Sequence, residues 1–371
     1  MIFLLYFLLS LILALLLVPL IKTLAIKTKV LDLPKSQRKI HKQPVPLLGG
    51  VAVFLALALA LLAYLFFGRP DFNVVPVKFF LAIIGGGLTL TLGGMLDDKF
   101  DLPPKILWLF PAIASLIVVW SGIGVGIKFI SNPFGAPINI GYHLGIGNWG
   151  LEISAVIMWL WMMGMIFTTK LLDGLDGLCG GVGLIGALTM FALSLTAKVN
   201  QPITATIAII FAGALAGFLV YNFNPAVIFL GESGSTLIGF VLGVLAIILG
   251  AKIATALLIM GIPILDVAWA IIRRVVYRRS PFEGDRSHLH YRLLDIGLSQ
   301  KQAVLVLWLI SASFGFTAVF LQSMGKLIAL VILFCLMIAL AISVVIIYKR
   351  QHPHIPDLFD YEKHPNVYRG D

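Results

Sequence analysis

The chain has 371 residues, of which 60% are hydrophobic and only 12% charged, with a mean hydropathy of +1.03 and a formal net charge of +10. A soluble globular chain carries about 25% charged residues, so this composition excludes that class and points to a membrane protein. The net positive charge does not mark a nucleic-acid binder: the basic residues flank apolar runs, and no separate soluble domain is long enough to hold DNA.

Apolar runs of the roughly twenty residues that a span requires occur at about eleven places: 1–21, 48–67, 78–96, 105–121, 152–169, 178–196, 203–221, 235–251, 253–273, 303–322 and 327–348. The first is too long for a signal-peptide core and has no small-residue cleavage site after it, so it reads as a retained span. With the N-terminus outside, one side receives 21 of the 27 Lys and Arg residues, leaving Arg69, Lys78, Lys128, Lys198, Lys252 and Lys326 on the other. By the positive-inside rule the rich side is cytoplasmic. The expected fold is an all-α integral membrane protein, a bundle of about 10–11 transmembrane helices over 1–348 with a cytoplasm-facing active site, followed by a short polar cytoplasmic tail, 349–371. The external segment 122–150 contains the alternation Ile138-Asn139-Ile140 and many turn residues, which predicts a small hairpin without chemistry. Cys179 and Cys335 lie in apolar runs and read as packing residues.

The same threading places fifteen of the seventeen acidic residues on the cytoplasmic side, Asp71 and Glu152 being the exceptions. A carboxylate beside the bilayer must be solvated, paired or bound to metal, so the one-sided set points to a metal-dependent site. Asp97-Asp98 closes the third run, where two adjacent carboxylates can hold a metal or serve as a base; a solvated helix end is an equally good reading, although acids there oppose the helix macrodipole. Asp173-Gly174-Leu175-Asp176-Gly177 joins two spans. Its glycines allow a tight turn and close approach to a ligand, and its acids share one side if the turn is helical. Asn222 to Gly234 ends in Gly231-Glu232-Ser233-Gly234, similar to a phosphate-cradling turn at a helix N-terminus, with Glu232 a hard oxygen donor and Phe229 either a base-stacking ring or a packing residue. Asp266 lies inside the ninth run, where a structural hydrogen bond to a neighbouring helix is at least as good a reading as a functional one. Arg286, His288 and His290 follow in the most polar internal stretch, where Arg beside His-x-His suits pyrophosphate or sugar; no cysteine lies nearby to support zinc.

In this order the motifs resemble the polyprenyl-phosphate N-acetylhexosamine-1-phosphate transferases, the superfamily that includes phospho-MurNAc-pentapeptide transferase. The resemblance also takes in Arg38-Lys39-Ile40-His41, Pro44 and Pro46-Leu47-Leu48-Gly49-Gly50, and covers almost the whole chain. It implies that a polyprenyl phosphate attacks the β-phosphorus of a UDP-linked amino sugar, most simply UDP-N-acetylglucosamine, and releases UMP. Mg2+, with Mn2+ as the alternative ion, would neutralise the diphosphate. The resemblance also implies a site in the bacterial inner (plasma) membrane; a homodimer stays open. By position Asp97, Asp98 and His288 are catalytic, Asp97 as base toward the lipid phosphate. Lys105, Lys170, Asp173, Asp176, Asn222, Phe229, Arg286 and His290 bind substrates, and Glu232 holds the metal. The form Asp285-Arg286-Ser287-His288-Leu289-His290 resembles the amino-sugar branch. Two positions depart from the pattern: Lys170 stands where the family has Asn, and Glu232 where it has Asp. Both belong to the implied metal corner; the longer Glu232 would still reach the ion while Lys170 contacts a diphosphate oxygen, or the chain is an inactive or altered homologue. A secondary transporter would show midplane acids and internal repeats, which are not evident here. A CDP-alcohol phosphotransferase would require a different residue pair where Leu175-Asp176 stands.

Overall fold

The computed structural model describes residues 1–34, 41, 43–124, 129–130, 132, 135–136, 138–139, 143–146, 149–250, 253–276 and 288–351. Helix α1 (Ile2–Lys27) leads through two short strands, β1 (Leu31–Asp32) and β2 (Val45–Pro46), to α2 (Gly49–Ala63), which ends in a π-helical turn, Tyr64–Gly68. Next come α3 (Val77–Phe100), α4 (Pro104–Leu107) and α5 (Leu109–Trp120). Short strands β3 (Phe129–Ile130), β4 (Ile138–Asn139), β5 (His143–Ile146) and β6 (Trp149–Glu152) precede α6 (Ile153–Leu172), α7 (Leu178–Ser194), α8 (Pro202–Asn222) and α9 (Gly231–Ile248). The chain then runs through α10 (Ile253–Ile259), α11 (Gly261–Val276), α12 (Leu289–Asp295), α13 (Gln300–Phe320) and α14 (Ser323–Gln351).

Each of the eleven apolar runs is helical. Among the described residues, eight helices are individually long and apolar enough to cross a membrane, and α10 with α11 make a ninth if counted as one span. Pro104–Trp120 and α7 are shorter apolar helices. The protein is therefore an all-α, multi-pass membrane protein. Two expectations are corrected. The ninth run is not a straight helix: α10 and α11 meet at 81° around Met260. Pro263 explains the break, because its ring has no N–H and clashes with the carbonyl four residues back, at Ile259. The external segment is not one hairpin; β3 pairs with β4 and β5 with β6, both antiparallel.

Helices α8 and α9 form the centre, with 89% and 83% of their apolar windows buried, against 11% for α14 at the periphery. Helices α2, α3 and α9 meet there at backbone distance. A Cβ on Gly50 would strike the backbone of Gly234, and one on Gly94 the backbone of Ser233. Side chains at these two glycines would hold the helices apart. One end of the same contact is tied by backbone hydrogen bonds: Phe229 N–H donates to the Pro46 carbonyl (2.8 Å), Gly49 N–H to Phe229 (2.9 Å) and Gly50 N–H to Leu230 (2.8 Å). The Pro46–Gly50 motif and the start of α9 are thus one structural unit.

Gly94→Ala is expected to cost about 1–3 kcal/mol through overpacking against backbone that has little room to yield, lowering the melting temperature in detergent. Gly85→Ala on the same helix, where the nearest atom to an added Cβ is Ile117 Cγ2 at 4.0 Å, is the matched control and should be tolerated. Equal melting temperatures for the two variants would refute the close-contact reading.

Candidate active site

A cavity of about 1290 Å³ opens at the end of the bundle where α3, α6 and α8 finish and α7 and α9 begin. Six carboxylates line it, those of Asp32, Asp97, Asp98, Asp173, Asp176 and Glu232, against the two ammonium groups of Lys22 and Lys170. Each acid is held differently. Asp97 Oδ1 accepts from Leu102 N–H (3.0 Å), just beyond the helix end. Asp98 Oδ1 accepts from Glu232 N–H (3.1 Å), so a carboxylate on α3 caps the N-terminus of α9, where the macrodipole favours an anion. The other Asp98 oxygen, Oδ2, is buried and has no hydrogen-bond partner among the described residues. Gly231, at φ +72°, keeps that oxygen in place: an added Cβ would lie 2.5 Å from it.

Asp176 Oδ2 accepts from Asn224 Nδ2 (2.9 Å) and Ala226 N–H (3.0 Å), which fixes the DGxDG turn against the loop before α9. Asp173 is exposed in the lining of the cavity. Desolvation there, and then the charges of Glu232 and Asp176, push its carboxyl up to about 7. Lys170, in the last turn of α6, places Nζ 2.8 Å from Glu232 Oε1, so the two residues that depart from the family pattern form an ion pair.

The two histidines reach the cavity from α12 and the residue before it. His288 Nδ1 lies 2.9 Å from Asp266 Oδ2, and Asp266 Oδ1 accepts from Leu289 N–H (2.8 Å). The structural hydrogen bond expected for Asp266 is present, and its partner is a site histidine. Because the carboxylate can only accept, it fixes the proton on Nδ1 and leaves Nε2 as the nitrogen available to the cavity. His290 stacks on His288 with centroids 5.7 Å apart and planes 4° from parallel. It is 2% exposed, its Nε2 has no hydrogen-bond partner, and a Cβ on Gly174 would collide with its ring. The glycine of the first Asp-Gly pair is therefore required by a histidine far along the chain.

Among the other expected residues, Phe229 lines the cavity and meets the His41 ring edge-on at 5.2 Å. The Asn222 amide is committed to backbone, accepting from Gly177 N–H (3.0 Å) and donating to Ile228 O (3.0 Å), so it braces the site. Lys105 is exposed on α4 and is not part of the cavity lining. Arg286 lies outside the described residues, as does most of the tail. The sequence reading missed two participants. Asp32 and His41 pair at 2.9 Å beside Phe229, and the only sequence signal was the position of His41 within the proline-glycine motif.

Comparison with known proteins follows the same outline. Residues 79–250 match the model of glycosyl transferase family 4. A probable undecaprenyl-phosphate N-acetylglucosaminyl 1-phosphate transferase of Bacillus subtilis is 32% identical over 91% of this chain and 89% of its own. The chain belongs to this transferase superfamily. Other members similar to it are the decaprenyl-phosphate N-acetylglucosaminephosphotransferase of Mycolicibacterium smegmatis, 31% identical over 89% of this chain and 85% of its own, and the undecaprenyl-phosphate α-N-acetylglucosaminyl 1-phosphate transferase of Thermotoga maritima, 32% identical over 71% and 73%. Membership makes the protein an enzyme of the polyprenyl-phosphate phosphotransferase class and this cavity the candidate active site.

The buried His290 gives this site a pH signature. Burial, and secondarily the neighbouring His288, pushes its imidazole down to about 4, with Asp266 opposing. Its folded pKa lies below the unfolded value near 6.5, so the stability it carries is complete above that pH and is lost as pH falls toward 4. Relative to His290→Gln, the wild type should lose about 2 kcal/mol between pH 7 and pH 5 in detergent. Parallel pH–stability curves for the two proteins would contradict this.

Proposed function

We propose that this enzyme transfers N-acetylglucosamine-1-phosphate from UDP-N-acetylglucosamine to undecaprenyl phosphate or a related polyprenyl phosphate, releasing UMP. The observation that carries the reading is the convergence of Asp97, Asp98, Lys170, Asp173, Asp176, Glu232, His288 and His290 on one cavity in a member of this superfamily. The activities of the relatives named above support the choice of sugar and lipid class. The enzyme is read as lying in the bacterial plasma membrane with its N-terminus outside, the cavity end being the end that carries most of the Lys and Arg.

The acceptor phosphate oxygen forms its bond to the donor β-phosphorus as the bond from that phosphorus to the bridging oxygen breaks, and UMP carries away the electron pair. Asp97, with one oxygen anchored by Leu102, receives the proton of a monoanionic lipid phosphate. Phe229 and the braced Asp176 turn form the nucleoside end. His288, oriented by Asp266, accepts from a sugar hydroxyl through Nε2, or donates to the diphosphate from that nitrogen once protonated. The residues present fit Mg2+, or Mn2+ in its place. Asp98 Oδ2 is an orphaned buried hard oxygen, and Asp173 and Glu232 lie in the same carboxylate-rich lining. Among the described residues no three His, Cys, Asp or Glu side chains form a complete cage. That suits Mg2+, which commonly uses one or two carboxylates together with substrate phosphates and water. Once bound, the ion would neutralise charge building on the diphosphate.

Purified protein with undecaprenyl phosphate, UDP-N-acetylglucosamine and Mg2+ should release UMP; a folded sample that releases none from any UDP-sugar would rule the reaction out and favour an inactive homologue. Asp97→Asn should lower turnover by about 10²–10⁴-fold, the range for a lost general base. Asp266→Asn, which keeps shape but frees the His288 tautomer, should lower kcat by about 10–100-fold with less effect on donor KM. An unchanged kcat in that variant would show that Asp266 serves packing only.

A further inference from the structure

The ion pair between Lys170 and Glu232 has a consequence for how the site loads. Lys170 Nζ sits 2.8 Å from Glu232 Oε1, with the two side chains 27% and 12% exposed, so the pair is largely shielded from bulk screening. The Lys170 charge also acts on Asp97, so the ammonium stands inside the carboxylate cluster. Among the described residues the cavity lining holds one other ammonium, that of Lys22 on α1. Two cations held at one carboxylate oxygen repel each other in a site of low effective dielectric, and the repulsion doubles when one of them is divalent. Lys170 ends a flexible four-carbon stem in the last turn of α6, so its ammonium can leave Glu232 for another anion, whereas Glu232 is anchored in the first turn of α9.

We infer that Lys170 and the divalent cation compete for Glu232, so that the enzyme takes up its metal together with a nucleoside diphosphate donor and not before it. In the empty site Lys170 holds Glu232 and neutralises it. A donor diphosphate draws the ammonium away, which frees Glu232 Oε1; Glu232 and Asp98, whose Oδ2 is without a partner among the described residues, are the residues that would hold the cation. Linkage makes the effect reciprocal: donor strengthens metal binding by the factor by which metal strengthens donor binding. This inference rests on reading the cavity as a diphosphate site, and its primary test requires no turnover.

Mn2+ binding to the purified detergent-solubilised protein, followed by the electron paramagnetic resonance signal of the free ion, supplies the readout. Mn2+ alone should bind wild type weakly, and Lys170→Gln about tenfold or more tightly. Added UDP should strengthen Mn2+ binding in wild type more than in Lys170→Gln. In a Glu232→Gln background, Lys170→Gln should give no such gain, which isolates the pair from general charge effects. Should Lys170→Gln fail to fold, the double variant Lys170→Asn with Glu232→Asp, which shortens both side chains and removes the cation, should likewise bind Mn2+ more tightly than wild type. Unchanged or weaker Mn2+ binding in the charge-removed variants overturns the inference; if wild type still releases UMP, the transfer reaction stands. Tightened Mn2+ binding without UMP release upholds the competition and overturns the reaction assigned above.

Discussion

The close approach of α3 and α9 is the constraint on which the rest depends. Gly94 meets the backbone of Ser233 with no side chain between them, and Gly50 does the same against Gly234. Only at that separation does the end of α3 reach the start of α9, so that Asp98 can accept from the Glu232 amide. The strand-like pairing of Pro46–Gly50 with Phe229 and Leu230 completes the arrangement from the side of α2. Motifs that are distant in sequence share one cavity because three helices touch through glycine.

The second constraint is electrostatic. Six carboxylates around one cavity would repel one another and suffer from partial dehydration. The fold answers with a different partner for nearly every one: a helix N-terminus for Asp98, a post-helix amide for Asp97, an amide and an asparagine for Asp176, a histidine for Asp32, and an ammonium for Glu232. Among the described residues Asp173 has no such neutralising partner, and its carboxyl is driven up to about 7. The lining that results is anionic with one oxygen left over, suited to receiving cationic charge together with phosphate.

Much of this was legible in the sequence because membranes impose length and apolarity, both of which are local properties. The eleven runs, the one-sided acids and the separate motifs could be read without coordinates. Features that depend on who touches whom could not. The bend at Met260 leaves composition unchanged, and only Pro263 hints at it. Strands of two residues such as β1 and β2 carry no periodicity, so Asp32 and His41 were not placed beside Phe229. Asn222 looked like a ligand residue because it stands in a site motif, yet its amide holds the loops together. Lys105 follows Asp97-Asp98 closely in sequence, but α3 ends at Phe100 and the intervening turn carries Lys105 away from the cavity. Lys170 and Glu232 were each visible as anomalies; that they answer one another required three dimensions.

One contact bears on how such enzymes diversify. The His290 ring occupies the space that any side chain at position 174 would need, so the turn between α6 and α7 and the start of α12 are shaped as one surface. Neither segment is a free module. A chimera that imports the histidine loop of another member alone would bring a ring fitted to a different turn, and donor preference would have to be transplanted as a pair of segments. Divergence at this site is accordingly expected to be stepwise and correlated, with the glycine fixed for as long as the histidine remains.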